Sequence, residues 1–162
     1  MKKVIVIGCP GSGKTTFAEA LHKKSGLPLY YLDAIWHKPD RTHISREEFE
    51  NRIAEIFKEE GWIIDGNYNR TIEARIRECD TIFLFDLPTE ICLAGAVERL
   101  GKGRYDLPWI GDKLDDEFRE SIERFDEESL PGIYALINRY GEGKRVVVFK
   151  SRDESNDFIR NK

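Results

Sequence analysis

What this chain lacks narrows its function before any motif is considered. Cysteine is sparse: Cys9, Cys79 and Cys92 are the only three in 162 residues, and none of their spacings suits a metal site. An odd, scattered set excludes a disulfide scaffold and fits free thiols in a reducing cytosol, so a cytoplasmic location is expected. No apolar run approaches the ~20 residues of a membrane-spanning helix. The apolar stretch at the N-terminus is short and leads straight into a glycine-rich segment, unlike a secretory leader. Basic residues are outnumbered: 26 Lys and Arg against 30 Asp and Glu leave a net charge of −4. That balance argues against direct nucleic-acid binding and against bulk attraction to an anionic membrane. Repeats, low-complexity tracts and linkers are also missing. A single domain spanning 1–162 is therefore expected, long enough to bury a real core.

One stretch stands out: Gly8-Cys9-Pro10-Gly11-Ser12-Gly13-Lys14-Thr15. It fits G-x-x-x-x-G-K-[ST], the phosphate-binding P-loop. The β-branched run Lys3-Val4-Ile5-Val6-Ile7 before it suits a buried parallel strand. Thr16 to Leu21 after it reads as a helix. The glycines let successive backbone N–H groups turn inward on phosphate oxygens, at the positive end of that helix. Lys14 can reach the outer phosphates and the Thr15 hydroxyl can hold Mg²⁺. Gly8, Pro10, Gly11, Ser12, Gly13, Lys14, Thr15 and Thr16 are the expected contacts to ATP, and Cys9 reads as a small filler.

Further strands are expected at Leu29–Leu32, Trp62–Asp65, Thr81–Phe85 and Arg145–Phe149, each a short apolar run bounded by turn residues. Gly26-Leu27-Pro28 stops the first helix. Residues 34–43 read as loop. Ser45-Arg46-Glu47-Glu48 is a capping box opening a helix with Phe49, Ile53, Ile56 and Phe57 on one face, closed by Gly61. Helices are expected over 70–78, 89–100, around Phe118, Ile122 and Phe125, over 133–140 after a break or bend at Pro131, and over 153–160. Strands alternating with helices imply an α/β domain, a parallel sheet covered on both faces. Ligands of such sheets bind beyond the strands' carboxyl ends, where Asp33, Asp65 and Asp86 fall. A carboxylate at a strand end can also serve only as a cap.

The P-loop, joined to Trp62-Ile63-Ile64-Asp65-Gly66-Asn67-Tyr68-Asn69-Arg70-Thr71, resembles the adenylate-kinase-like P-loop kinases. Tyr31-Leu32-Asp33-Ala34-Ile35-Trp36-His37-Lys38-Pro39 and Lys113-Leu114-Asp115-Asp116-Glu117-Phe118 resemble the bacterial subgroup labelled topology modulation protein or FlaR-like. The resemblance implies a phosphoryl transferase of three-layer P-loop NTPase fold with a five-stranded sheet in the order 2-3-1-4-5. It implies an acceptor-binding region after strand two and a lid at about 101–115. In adenylate kinases the third strand ends Asp-Gly-Phe-Pro-Arg-Thr, whose Asp helps hold hydrated Mg²⁺ and whose Arg grips the acceptor phosphate. Asp65 and Arg70 match in kind, although this chain has one more residue between Gly66 and Arg70 and no Phe-Pro pair. With no four-cysteine cluster in the lid, no zinc is implied.

Phosphoryl transfer needs alignment and positive charge around the moving group. Lys14 supplies one charge. Arg99 and Arg104 flank the lid's start and Arg119 and Arg124 lie on the helix after it; Arg99 and Arg119 are the expected catalytic pair. Asp33 would take the proton of a hydroxyl acceptor, as an Asp near this position binds the substrate hydroxyl in the shikimate-kinase branch. Arg70 suits an anionic acceptor, and both could serve one substrate. Trp36, His37, Tyr68 and Trp109 could wall the acceptor pocket or simply pack on the domain. His37 and His43 lack metal-site spacing. Ser151 and Arg152 follow strand five, where related kinases border the adenine. The expected partners are ATP, Mg²⁺ and a small acceptor, handled by a monomer or homodimer. The alternative is a nucleotide-dependent regulator of DNA topology or gene expression without kinase turnover.

Overall fold

The computed structural model describes residues 1–100 and 115–162. The expected lid, with Gly101, Gly103, Arg104, Trp109 and Gly111, lies outside the described residues.

The sheet has five parallel strands: β1 (Lys3–Gly8), β2 (Leu29–Tyr31), β3 (Trp62–Asp65), β4 (Thr81–Phe85) and β5 (Arg145–Phe149). Their order is β2-β3-β1-β4-β5, as the resemblance implies. β1 sits in the middle because every one of Val4 to Ile7 is apolar and fully buried. Gly8 pairs with Phe85, so β1 and β4 end level, and β3 ends two residues earlier with Asp65 beside Val6. The P-loop leaves the sheet there.

The helices are α1 (Lys14–Ser25), α2 (Leu32–Trp36), α3 (Arg46–Phe57), α4 (Asn69–Glu78), α5 (Thr89–Glu98), α6 (Asp116–Glu123), α7 (Phe125–Glu128), α8 (Leu130–Tyr140) and α9 (Arg152–Arg160). Gly26 ends α1 in the left-handed conformation and donates its N–H to His22, as its place before Leu27-Pro28 predicts. The Ser45 hydroxyl accepts the Glu48 N–H at 3.1 Å, which completes half of the expected capping box. α3 ends at Phe57, before Gly61. The helical run is interrupted at Ser129, next to the break or bend expected at Pro131, and Pro131 itself occupies the first turn of α8, where its missing N–H costs nothing.

One expectation is corrected near the site. Leu29 to Leu32 is not all strand: β2 stops at Tyr31, and Leu32 to Trp36 form a helical turn closed by His37 N–H on the Asp33 carbonyl. Asp33 therefore projects from a helix rather than from a strand end. Residues 34–43 are not wholly loop either, since His37 and His43 make an antiparallel bridge.

The interior between α1, β4, β5 and α9 is aromatic. Phe17 meets Phe83, Phe85 and Phe149 edge-on at 4.8 to 5.4 Å between ring centres, a geometry that adds to simple burial. This packing fixes α1, and with it the P-loop, against the sheet.

Candidate active site

The loop from Gly8 to Thr15 is curled, and its glycines are required by geometry. Gly8, Gly11 and Gly13 have φ of +142°, +82° and +99°. A Cβ at Gly8 would lie 2.4 Å from the Phe85 carbonyl oxygen, and one at Gly11 would lie 2.0 Å from that of Cys92. The Cys9 carbonyl gathers the inside of the curl. It accepts the Ser12 N–H at 3.2 Å, the Ser12 hydroxyl at 2.6 Å and the Lys14 ammonium at 3.0 Å. Burial lowers the pKa of Lys14, opposed by the charge of Asp65. The Cys9 thiol is buried beside that of Cys92, and both the contact and the burial push its pKa up.

The Thr15 hydroxyl donates to Asp65 Oδ2 at 2.8 Å. A hydroxyl and a carboxylate from the end of the neighbouring strand are hard oxygen donors, which fits Mg²⁺. Among the described residues no group of three or more His, Cys, Asp or Glu could cage a metal by itself.

Two cavities open on this loop, and a third adjoins one of them. The first, about 540 Å³, lies over Gly11 and Gly13 between α1, the end of α5 and α9, and Thr16, Arg99 and Arg152 line it. Arg152 donates to the Gly11 carbonyl at 2.8 Å and sits 3.9 Å from Glu98. The second, about 230 Å³, holds Lys14, Thr15, Asp33, Asp65, Tyr68 and Arg99 together, with Pro10 and Phe118 at its rim. The third, about 650 Å³, is walled by Trp36, His43, Phe49 and Tyr68, with Arg46 and Arg70 among its polar lining. There Trp36 stacks on His43 at 4.3 Å and 9°. Tyr68 belongs to both the second and third cavities, and its hydroxyl donates to Asp33 Oδ1. The two are neighbours divided by one ring.

Several expected residues stand elsewhere. Arg70 is exposed on the first turn of α4 and lines the aromatic cavity rather than the one with Lys14. Arg119 is exposed on α6 and pairs with Glu123 at 3.1 Å. Asp86 lies at the same sheet edge but binds Lys150 at 2.5 Å and Tyr134 at 2.6 Å, so it ties β5 and α8 together.

The sequence reading missed Asn67, Arg75 and Gly95. The Asn67 side chain accepts the Gly8 N–H at 2.9 Å and donates to the Gly8 carbonyl at 2.5 Å, tying the loop's first residue to the turn after β3. Arg75 is fully buried and donates to Thr71 Oγ1 at 3.1 Å and to the carbonyls of Gly66 at 2.7 Å, Asn67, and Tyr68 at 3.3 Å. Burial pushes its pKa down to about 9, against the pull of Asp65. Gly95 of α5 packs on the loop so closely that a Cβ there would lie 2.1 Å from the Gly11 carbonyl oxygen. A signal for Arg75 does exist: it falls between Ile72 and Ile76 on the buried stripe of α4.

No protein-family model matches the chain. It is similar to the adenylate kinase of Nocardia farcinica, 30% identical over 102 residues that cover 60% of this chain and 54% of that enzyme. It is similar also to the adenylate kinase of Thermotoga neapolitana, 27% identical over 88 residues, or 53% of this chain and 39% of that enzyme. The matched stretch thus spans about half or less of those enzymes' length. The shikimate kinase of Bacteroides thetaiotaomicron superposes with a TM-score of 0.60 at 15% identity, over 98% of this chain and 94% of that one. The fold of this chain is that of a P-loop kinase: a five-stranded parallel sheet in the order 2-3-1-4-5 with helices on both sides.

Proposed function

We propose that this protein is an ATP-dependent phosphotransferase acting on a small molecule that presents a hydroxyl and carries an anionic group. One observation carries the reading: Lys14, Thr15 and Asp65 share a single cavity of about 230 Å³ with Asp33 and Arg99. Groups fit to hold the donor phosphates and a carboxylate fit to receive an acceptor thus face one another.

The polyphosphate lies on the P-loop amides and Lys14, and the nucleoside occupies the neighbouring cavity lined by Thr16 and Arg152. Thr15 and Asp65 hold Mg²⁺, which neutralises phosphate charge when bound. Arg99 lines both cavities, so it is placed to follow charge from donor to acceptor, the task of an arginine finger. Arg119, turned toward Glu123, is the weaker of the two arginines for that role.

Asp33 decides the acceptor. A phosphate acceptor is already ionised and needs no base, whereas a hydroxyl gains from a carboxylate that takes its proton. Asp33 stands in the cavity with Lys14, whereas Arg70 lies beyond Tyr68 in the aromatic cavity. The acceptor's body therefore sits against Trp36, Phe49 and Tyr68, with its acid group toward Arg70 and Arg46 and its hydroxyl toward Asp33. Coupled measurement of ADP release against a panel of hydroxy acids and nucleoside monophosphates tests this. Turnover stimulated by a hydroxy acid and lost in Asp33→Asn is expected. No stimulation above slow ATP hydrolysis by any acceptor would overturn the reading.

A further inference from the structure

A guanidinium with no access to water is expensive unless its donors are met by hydrogen bonds. Arg75 is such a group. It makes no ion pair within 4 Å among the described residues; its partners are one hydroxyl and three main-chain carbonyls, all within residues 66–71. Residues 66–68 form the turn between β3 and α4, and two of them reach into the site. Asn67 bonds both the N–H and the carbonyl of Gly8, and Tyr68 places its hydroxyl on Asp33. Tyr68 also holds a left-handed backbone, φ +44° and ψ +76°, which a bulky residue adopts only under constraint. The constraint is visible: its carbonyl accepts from Arg75 at 3.3 Å, from the Thr71 N–H at 2.9 Å and from the Thr71 hydroxyl at 3.1 Å.

We propose that Arg75 is a positioning residue, whose planar fork sets residues 66–68 so that Asn67 anchors the P-loop while Tyr68 fixes Asp33 beside it. The donor and acceptor halves of the site are thereby held in register from beneath by a group that touches neither substrate. The inference rests on the kinase reading for its catalytic consequence but not for its structural one. Lysine cannot reproduce the fork, because its donors sit on one nitrogen whereas Arg75 donates from three, Nε to Thr71 and the two terminal nitrogens to the carbonyls of residues 66–68.

The test compares the full chain with Arg75→Lys and Arg75→Met in three measurements. Thermal melts establish that each variant folds. ¹H–¹⁵N spectra follow the Gly8 amide and the Asn67 side-chain amide. ADP release with the best acceptor from the panel gives kcat and KM. We expect folded variants in which both resonances move, with kcat lowered about a hundredfold, the cost of displacing a reacting group by about 1 Å. Arg75→Lys should recover less than about a tenth of the loss. Unmoved Gly8 and Asn67 resonances in a folded variant, or a kcat within about threefold of wild type, would overturn the proposal. Should both variants fail to fold, Thr71→Val takes their place, since it removes the hydroxyl that accepts from Arg75 and donates to Tyr68. It should move the same two resonances away from their wild-type positions, and their constancy would overturn the proposal. Should the wild type show no acceptor-stimulated turnover, the kinase reading fails while the resonances still decide the role of Arg75.

Discussion

Lys14 shows most directly how a single side chain sets conditions on the whole site. Burial favours its neutral form, so its pKa lies below that of an ordinary lysine. The sign follows from this. Below its lowered pKa the fold carries the cost of a desolvated charge, and it sheds that cost as pH rises from the lowered value toward the ordinary one. A bound polyphosphate acts the other way and raises the pKa, so binding draws in a proton wherever Lys14 is partly neutral. Affinity for Mg·ATP should therefore fall as pH rises through the lowered pKa of Lys14 toward the ordinary lysine value, earlier than an exposed lysine would allow. Calorimetry in buffers of different ionisation enthalpy should show proton uptake at the upper end. A flat profile, identical in Lys14→Arg, would contradict this account. At this scale the motif residues were legible, because the P-loop pattern names them. Asn67 was not, since its partner Gly8 lies 59 positions away, and nothing local marks an amide that closes such a contact.

Among the elements, α5 and α3 make the sharpest predictions. Replacing a helical glycine by alanine ordinarily stabilises by about 1 kcal/mol. At Gly95 the new methyl would meet the Gly11 carbonyl oxygen at 2.1 Å, a main-chain atom of the P-loop that can yield only if the loop moves. Overpacking of this kind costs about 1–3 kcal/mol, so it outweighs the helical gain. Gly95→Ala should lower the melting temperature and weaken Mg·ATP binding at least about tenfold; a more stable variant with unchanged affinity would refute the contact. Ser45→Ala at the start of α3 should cost about 1 kcal/mol in denaturant titrations, with nucleotide affinity unaffected. Most elements could be read from apolar spacing and caps. The misreading at α2 has a physical cause: Leu29 to Leu32 is one unbroken apolar run, and a helix of five residues is too short to display a 3.6-residue period.

At the scale of the molecule, the alternation of strands and helices made the layered parallel fold legible, and the strand order followed from the resemblance to P-loop kinases. The cavities were not legible, because each is closed by residues far apart in the chain. Arg152, for example, reaches the Gly11 carbonyl across 141 positions. The same distance explains why Asp86 looked like a site residue. Its place at a strand end was read correctly, but Lys150 and Tyr134 arrive beside it only in the folded chain. No helix among the described residues is long and apolar enough to cross a membrane. The account depends on one property, that the curl from Gly8 to Thr15 clasps a nucleotide's polyphosphate. Titration calorimetry of Mg·ATP into the wild type and into Lys14→Ala tests it most directly. The prediction is saturable binding to the wild type and none to a variant whose melting curve is preserved; no heat of association with the wild type, or equal affinity in the two, would contradict it.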